Sequence, residues 1–155
     1  MAGEFETMFI TAGDKPALVG CSNPERVEAA RRALRDLGYK IHAVTSHQDF
    51  IARFSRIRYE VVILEELFAA TKPEENLSLT MVQNMAMGQR RHAVIILLGD
   101  HFTTYDPMQA FQKSVHLVIN GAEISMLKHL TEKILADNEL FLHTYREVQG
   151  HIAKL

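Results

Sequence analysis

One stretch limits what this chain can fold into more than any other: Tyr59-Glu60-Val61-Val62-Ile63-Leu64-Glu65-Glu66. A short continuous apolar run with β-branched residues, entered after a basic amphipathic segment and left abruptly into acid, reads as a strand buried on both faces. Such strands sit at the centre of parallel sheets. Ligands and chemistry in those sheets gather beyond the carboxyl ends, so Glu65 and Glu66 mark the first place to seek a site. Ala93-Val94-Ile95-Ile96-Leu97-Leu98 is a second run without a polar residue, ending at Gly99-Asp100.

Helices are legible between the strands. After a first strand at Lys15–Cys21, Ser22 or Asn23 can cap a helix, Pro24 has the φ favoured at the first helical position, and Glu25 complements the dipole. Val27, Ala30, Leu34 and Leu37 repeat on one face, and Gly38 closes the helix. Tyr39–Val44 follows so closely that strand, helix and strand form one right-handed unit. Ser46 and Asp49 suggest a capping box for a second helix that buries Phe50, Ile51 and Phe54. Residues Phe68–Ser78 have loop chemistry and predict a loose, mobile stretch. Leu77–Met87 reads as a third helix with Met81, Val82 and Met85 inward, stopped by Gly88. Asp106-Pro107 starts a fourth, Val115–Ile119 is the fifth strand, and a last helix runs from about Glu123 to the end.

The pattern predicts a doubly wound α/β sandwich, (βα)5 and flavodoxin-like, with a five-stranded parallel sheet and an extended C-terminal helix. Its organisation reads as a disordered or tag-like N-terminus over 1–13, one domain over 14–136, and an extension of the last helix over 137–155. At 155 residues the chain supports one full core. A net charge of −2 provides no basic field, which argues against nucleic acid. A lone cysteine, Cys21, rules out an internal disulfide framework and a four-cysteine zinc site, and fits the cytoplasm. No apolar run approaches the roughly 20 residues of a membrane span. The eight histidines lack metal-binding spacing, no glycine-rich phosphate loop is present, and no catalytic triad can be read, so no metal, cofactor or enzymatic activity is expected.

The alternation of elements, the Gly38-Tyr39 pair, the strand Tyr59–Glu65 and the strand Val94–Gly99 resemble receiver domains of bacterial response regulators over residues 16 to 136. The resemblance implies an acidic pair for Mg²⁺ after strand one, a phosphoryl-accepting Asp ending strand three, a hydroxyl after strand four, and a Lys before Pro after strand five. Those positions fall on Cys21 and Ser22, on Glu65, on Leu98 or Gly99, and on Asn120 or Ile119 with Gly121 following. Neither Cys21 nor Ser22 is a usual ligand for a hard cation, and glutamate sets its carboxylate one methylene further out. The resemblance thus implies a pseudo-receiver that cannot be phosphorylated, a protein-interaction module of bacterial signalling. Alternatives are a sensor binding a small molecule or anion around Cys21, Glu65 and Gly99, and, third, an enzyme on a flavodoxin-like fold. Glu65 reads either as a permanent mimic of the charged state or as an ordinary paired carboxylate, and Cys21 either as a redox sensor or as a small buried hydrophobe.

The last helix is about twice as long as the sheet requires. Leu127, Ile134, Phe141, Val148 and Leu155 share one heptad position, while Ile124, Thr131, Asn138, Tyr145 and Ile152 share the other. The stripe Phe141, Tyr145, Val148, Ile152 and Leu155 predicts a homodimer through this helix, with Asn138 setting its register.

Overall fold

In the computed structural model, residues 9–86, 90 and 92–153 are described. Five parallel strands form one sheet in the order β2-β1-β3-β4-β5. They are β1 (Pro16–Gly20), β2 (Lys40–Val44), β3 (Val61–Glu65), β4 (Val94–Gly99) and β5 (Leu117–Asn120). Every residue of β1, β3 and β4 is buried, which is why these runs carry no alternation of polar and apolar side chains.

The sheet separates two cores. Val19, Ile63, Ile96 and Leu98 face one side and pack with α1 (Pro24–Asp36) and α5 (Leu127–Ala153). Leu18, Val62, Leu64, Ile95 and Leu97 face the other, under α2 (His47–Arg56), α3 (Leu77–Asn84) and α4 (Pro107–Gln112). Gly20 is needed where β1 leaves the sheet: a Cβ there would lie 3.0 Å from Leu64 and 3.2 Å from Phe50.

Caps set the helix starts. Asn23, Ser46 and Asp106 accept bonds from the first turns of α1, α2 and α4, and Gly38 has the positive φ of 86° that ends α1. The α2 box is only half made. Ser46 accepts from the Asp49 N–H at 3.1 Å, but the Asp49 carboxylate pairs forward with Arg53 at 2.9 Å.

Three expectations are revised. First, α3 ends at Asn84 with Met85 extended, and Met87 and Gly88 lie outside the described residues. Second, residues 68–76 are tied down rather than loose. Phe68 is fully buried, Pro73–Glu75 forms a 3-10 turn, and buried Asn76 donates to the carbonyls of Glu65 and Glu66 at 3.0 Å each while capping α3. Third, the last α-helix starts at Leu127, after a 3-10 segment Gly121–Met126 in which Glu123 departs from helical φ/ψ. Among the described residues no helix is long and apolar enough to cross a membrane.

Two histidines link this fold to pH. The His116 Nδ1 accepts from the Ile95 N–H at 3.0 Å, so it must be unprotonated. His42 is buried against the Tyr59 hydroxyl at 2.6 Å, with its Nε2 lacking a partner. Burial lowers the pKa of each from 6.5 to about 4, with Arg90 adding to the effect at His116 and Arg53 at His42. The stability they contribute is present above pH 6.5 and is lost as pH falls toward 4, by up to about 1.4 kcal/mol per pH unit for each histidine. Urea denaturation from pH 7.5 to 4.5 should show this decline, and His42→Gln should flatten the slope. An unchanged slope in that variant would remove His42 from the explanation.

Candidate functional site

Glu65 ends β3 beneath the start of α1. Parallel alignment of β1 and β3 brings its carboxylate to the backbone of that helix start: Ser22 N–H donates to Oε1 at 2.8 Å and Asn23 N–H at 3.4 Å. The other oxygen, Oε2, accepts from Arg26 Nη1 at 2.6 Å. Arg26 in turn donates through Nη2 to Asp100, just beyond β4. One guanidinium, only 16% exposed, therefore bridges the ends of β3 and β4. Gly121 makes room for it, since a Cβ there would collide with the Arg26 guanidinium.

A second carboxylate lies beside the first. The side chain of Glu66 is 3% exposed, with Oε1 2.6 Å from His101 Nε2 and Oε2 3.2 Å from Lys113 Nζ. The His101 ring leans on Phe102, 4.5 Å between centroids. Around these groups is a cleft of about 350 Å³.

Of the residues singled out in the sequence for this end of the sheet, Ser22, Glu65, Glu66, Leu98 and Gly99 line this cleft, whereas Cys21, Asn120 and the core residue Ile119 do not. Cys21 turns into the core instead, 2% exposed, and its thiol is pushed up to about 12 by burial first and by the nearby Glu65 charge second. That environment suppresses the thiolate a redox sensor needs. Asn120 is a structural cap: it accepts from Ala122 N–H and donates to the carbonyls of Asp100 and Phe102, holding the loop after β4 against β5. Ser22 is also committed, because its hydroxyl accepts from Ala69 N–H at 2.7 Å and fastens a residue with a φ of 47°.

The donor set does not suit the Mg²⁺ that a receiver fold implies. A hard divalent cation requires several free oxygens. Here the guanidinium of Arg26 already lies between the carboxylates of Glu65 and Asp100, and the two positions after β1 offer a buried thiol and an occupied hydroxyl. Among the described residues, no group of three or more His, Cys, Asp or Glu could hold a metal ion. The backbone N–H groups of Ser22 and Asn23 at the start of α1, which could otherwise serve an external anion, are taken by Glu65 Oε1.

Arg26 and Asp100 are the residues that sequence reasoning missed. A signal existed, since a cation in the first turn of a helix opposes the helix dipole and calls for an acid nearby. Which acid depends on strand order, and periodicity does not contain that.

No protein-family model and no curated protein matches the chain. Solved structures do. A response regulator from Thermotoga maritima superposes with a TM-score of 0.61 at 13% identity, over 79% of this chain and 98% of that one. An orphan response regulator of H. pylori matches with a TM-score of 0.59 at 16% identity, over 81% and 99%. A response regulator from Hahella chejuensis matches with a TM-score of 0.54 at 18% identity, over 83% and 96%. Sequence identities this low speak to architecture, and together with the strand order they establish that this chain has the receiver fold of response regulators.

Proposed function

We propose that the chain is a receiver-fold signalling module that accepts no phosphoryl group and works through protein contacts, including self-association through the outer half of α5. The observation that carries this reading is the Arg26 bridge. Phosphoryl transfer to Glu65 needs a free carboxylate oxygen aligned with the donor and a cation to neutralise developing charge. Both oxygens of Glu65 are engaged, and Arg26 stands as a fixed, covalently tethered cation.

Self-association is supported by where the apolar face of α5 runs out of domain. Leu127, Leu130, Thr131 and Leu142 are buried against the rest of the chain, and Ile134 and Asn138 are half-buried. Asn138, the residue expected to set the register, is half-buried and lines the cleft between α5 and the sheet. Further along the same face Phe141 is 64%, Val148 53% and Ile152 63% exposed, Tyr145 is half-buried, and Leu155 lies outside the described residues. Full burial of such side chains stabilises by roughly 1.5 to 3 kcal/mol each, and a second copy of the helix would supply it.

Three outcomes are expected. Incubation with acetyl phosphate and Mg²⁺ should leave the intact mass unchanged; an acid-labile gain of one phosphoryl mass would defeat the reading. Arg26→Ala should destabilise the fold by about 3 kcal/mol by leaving Glu65 buried and unpaired, and Glu65→Gln in the same chain should restore much of it. Equal stability of wild type and Arg26→Ala would show that the bridge is not structural. Light scattering across concentrations should find a dimer that Val148→Glu with Ile152→Glu converts to a monomer, while Leu142 stays in place. A monomeric wild type, or a dimer indifferent to these changes, would exclude α5 as the interface.

A further inference from the structure

At the end of the sheet away from Glu65, the amino edges of β1, β3 and β4 and the inner side of α5 enclose a cleft of about 700 Å³. A second cleft of about 520 Å³ opens beside the end of α2. Arg58 and His92 line both.

The charges here are unevenly matched. Lys15 lies 4.4 Å from the centroid of the Tyr39 ring, and Arg146 lies 3.8 Å from Glu139. Arg58 has no acidic partner among the described residues, and the His92 Nδ1 is buried without a hydrogen-bond partner. Both groups line the same two clefts, and after burial the charge of Arg58 is the second cause lowering the pKa of His92. Glu60 is the nearest rim acid in sequence, and it acts on Tyr39, whose hydroxyl is pushed up to about 12 by burial first and by Glu60 second. Two basic groups thus line the same two clefts, neither with a carboxylate partner among the described residues, and one of them has an orphaned buried nitrogen. Buried polar atoms ordinarily find partners, and perturbed bases lining a cleft mark binding sites.

We propose that this amino-edge cleft binds a small anion through a phosphate or carboxylate group, with Arg58 and His92 as its contacts. The guanidinium of Arg58 presents a planar fork suited to two oxygens of such a group, and His92 adds a third donor once protonated. Glu60, Glu132 and Glu139 face the same space. They disfavour a polyanion and accept bonds from hydroxyl or ammonium groups, so the ligand class is a compact anionic head on a polar, donor-bearing body, as in a sugar phosphate or an amino acid.

Binding beside His92 favours its imidazolium, so affinity should rise as pH falls from 7.5 to 6. Arg58 opposes that protonation; Lys15, Arg56, Arg146 and the acids Glu60, Glu132 and Glu139 are the other charged groups that line the two clefts. The full chain would be titrated with inorganic phosphate, glucose 6-phosphate, serine and acetate, with glucose and sodium chloride as controls, while the ring nitrogens of His92 are followed by NMR. The expected result is a saturable His92 shift with at least one anion, toward imidazolium and tighter at low pH. It should weaken roughly tenfold or more in Arg58→Gln, a change at an exposed side chain. Phosphate ligands alone responding would assign the phosphate class, and serine or acetate alone the carboxylate class. No saturable shift, a shift reproduced by sodium chloride, or one unaltered in Arg58→Gln would overturn the proposal.

Discussion

β3 and β4 are apolar on both faces, and water must be excluded from both. Their backbone groups are satisfied by parallel neighbours, β1 on one side and β5 on the other, so the sheet cannot stop at two strands. Their side chains then need a helical layer above and another below. The split of the core into two clusters, one under α1 and α5 and one under α2, α3 and α4, follows directly. Connections between parallel strands must return the chain to the starting edge, which aligns all the carboxyl ends and gathers Glu65, Glu66, Asp100 and Asn120 at one end.

That convergence would place acidic groups together with little to offset them. The chain resolves the problem internally. Arg26 joins Glu65 to Asp100, and Lys113 stands 3.2 Å from Glu66 with the His101 ring on its other oxygen, so each buried carboxylate has a cation beside it. A divalent ion would need the same oxygens. Backbone N–H groups at the start of α1 serve Glu65 in the way they could serve an external anion. These internal pairings are the physical ground of the proposal that the module accepts no phosphoryl group.

The opposite end of the sheet has the reverse character. There α5 runs on past the edge of the strands, with Leu142 buried and the following apolar positions increasingly exposed. Arg58 and His92 are left without acidic partners beside this helix, whereas every cation near Glu65 has one. Unmet requirements for burial and for charge thus collect away from the strand ends where the fold usually works.

How much was legible in advance depended on whether a property is local. Strand burial is written in unbroken runs such as Val61–Leu64, helix starts in Asn23-Pro24, Ser46 and Asp106-Pro107, and the long last helix in the lack of proline after Gly121, because propensity, capping and periodicity act over a few residues. The fold and the position of Glu65 came from these. Pairings between distant residues came from tertiary structure alone: Arg26 with Glu65 and Asp100 across separations of 39 and 74 residues, Asn76 holding down the loop after β3, and Cys21 turning inward rather than toward the cleft. Strand order and helix docking decide which side chains meet, and both are set by the packing of the whole chain. The apolar pattern of this sequence therefore determined its architecture, while the meaning of its charged residues was decided only once the sheet had assembled.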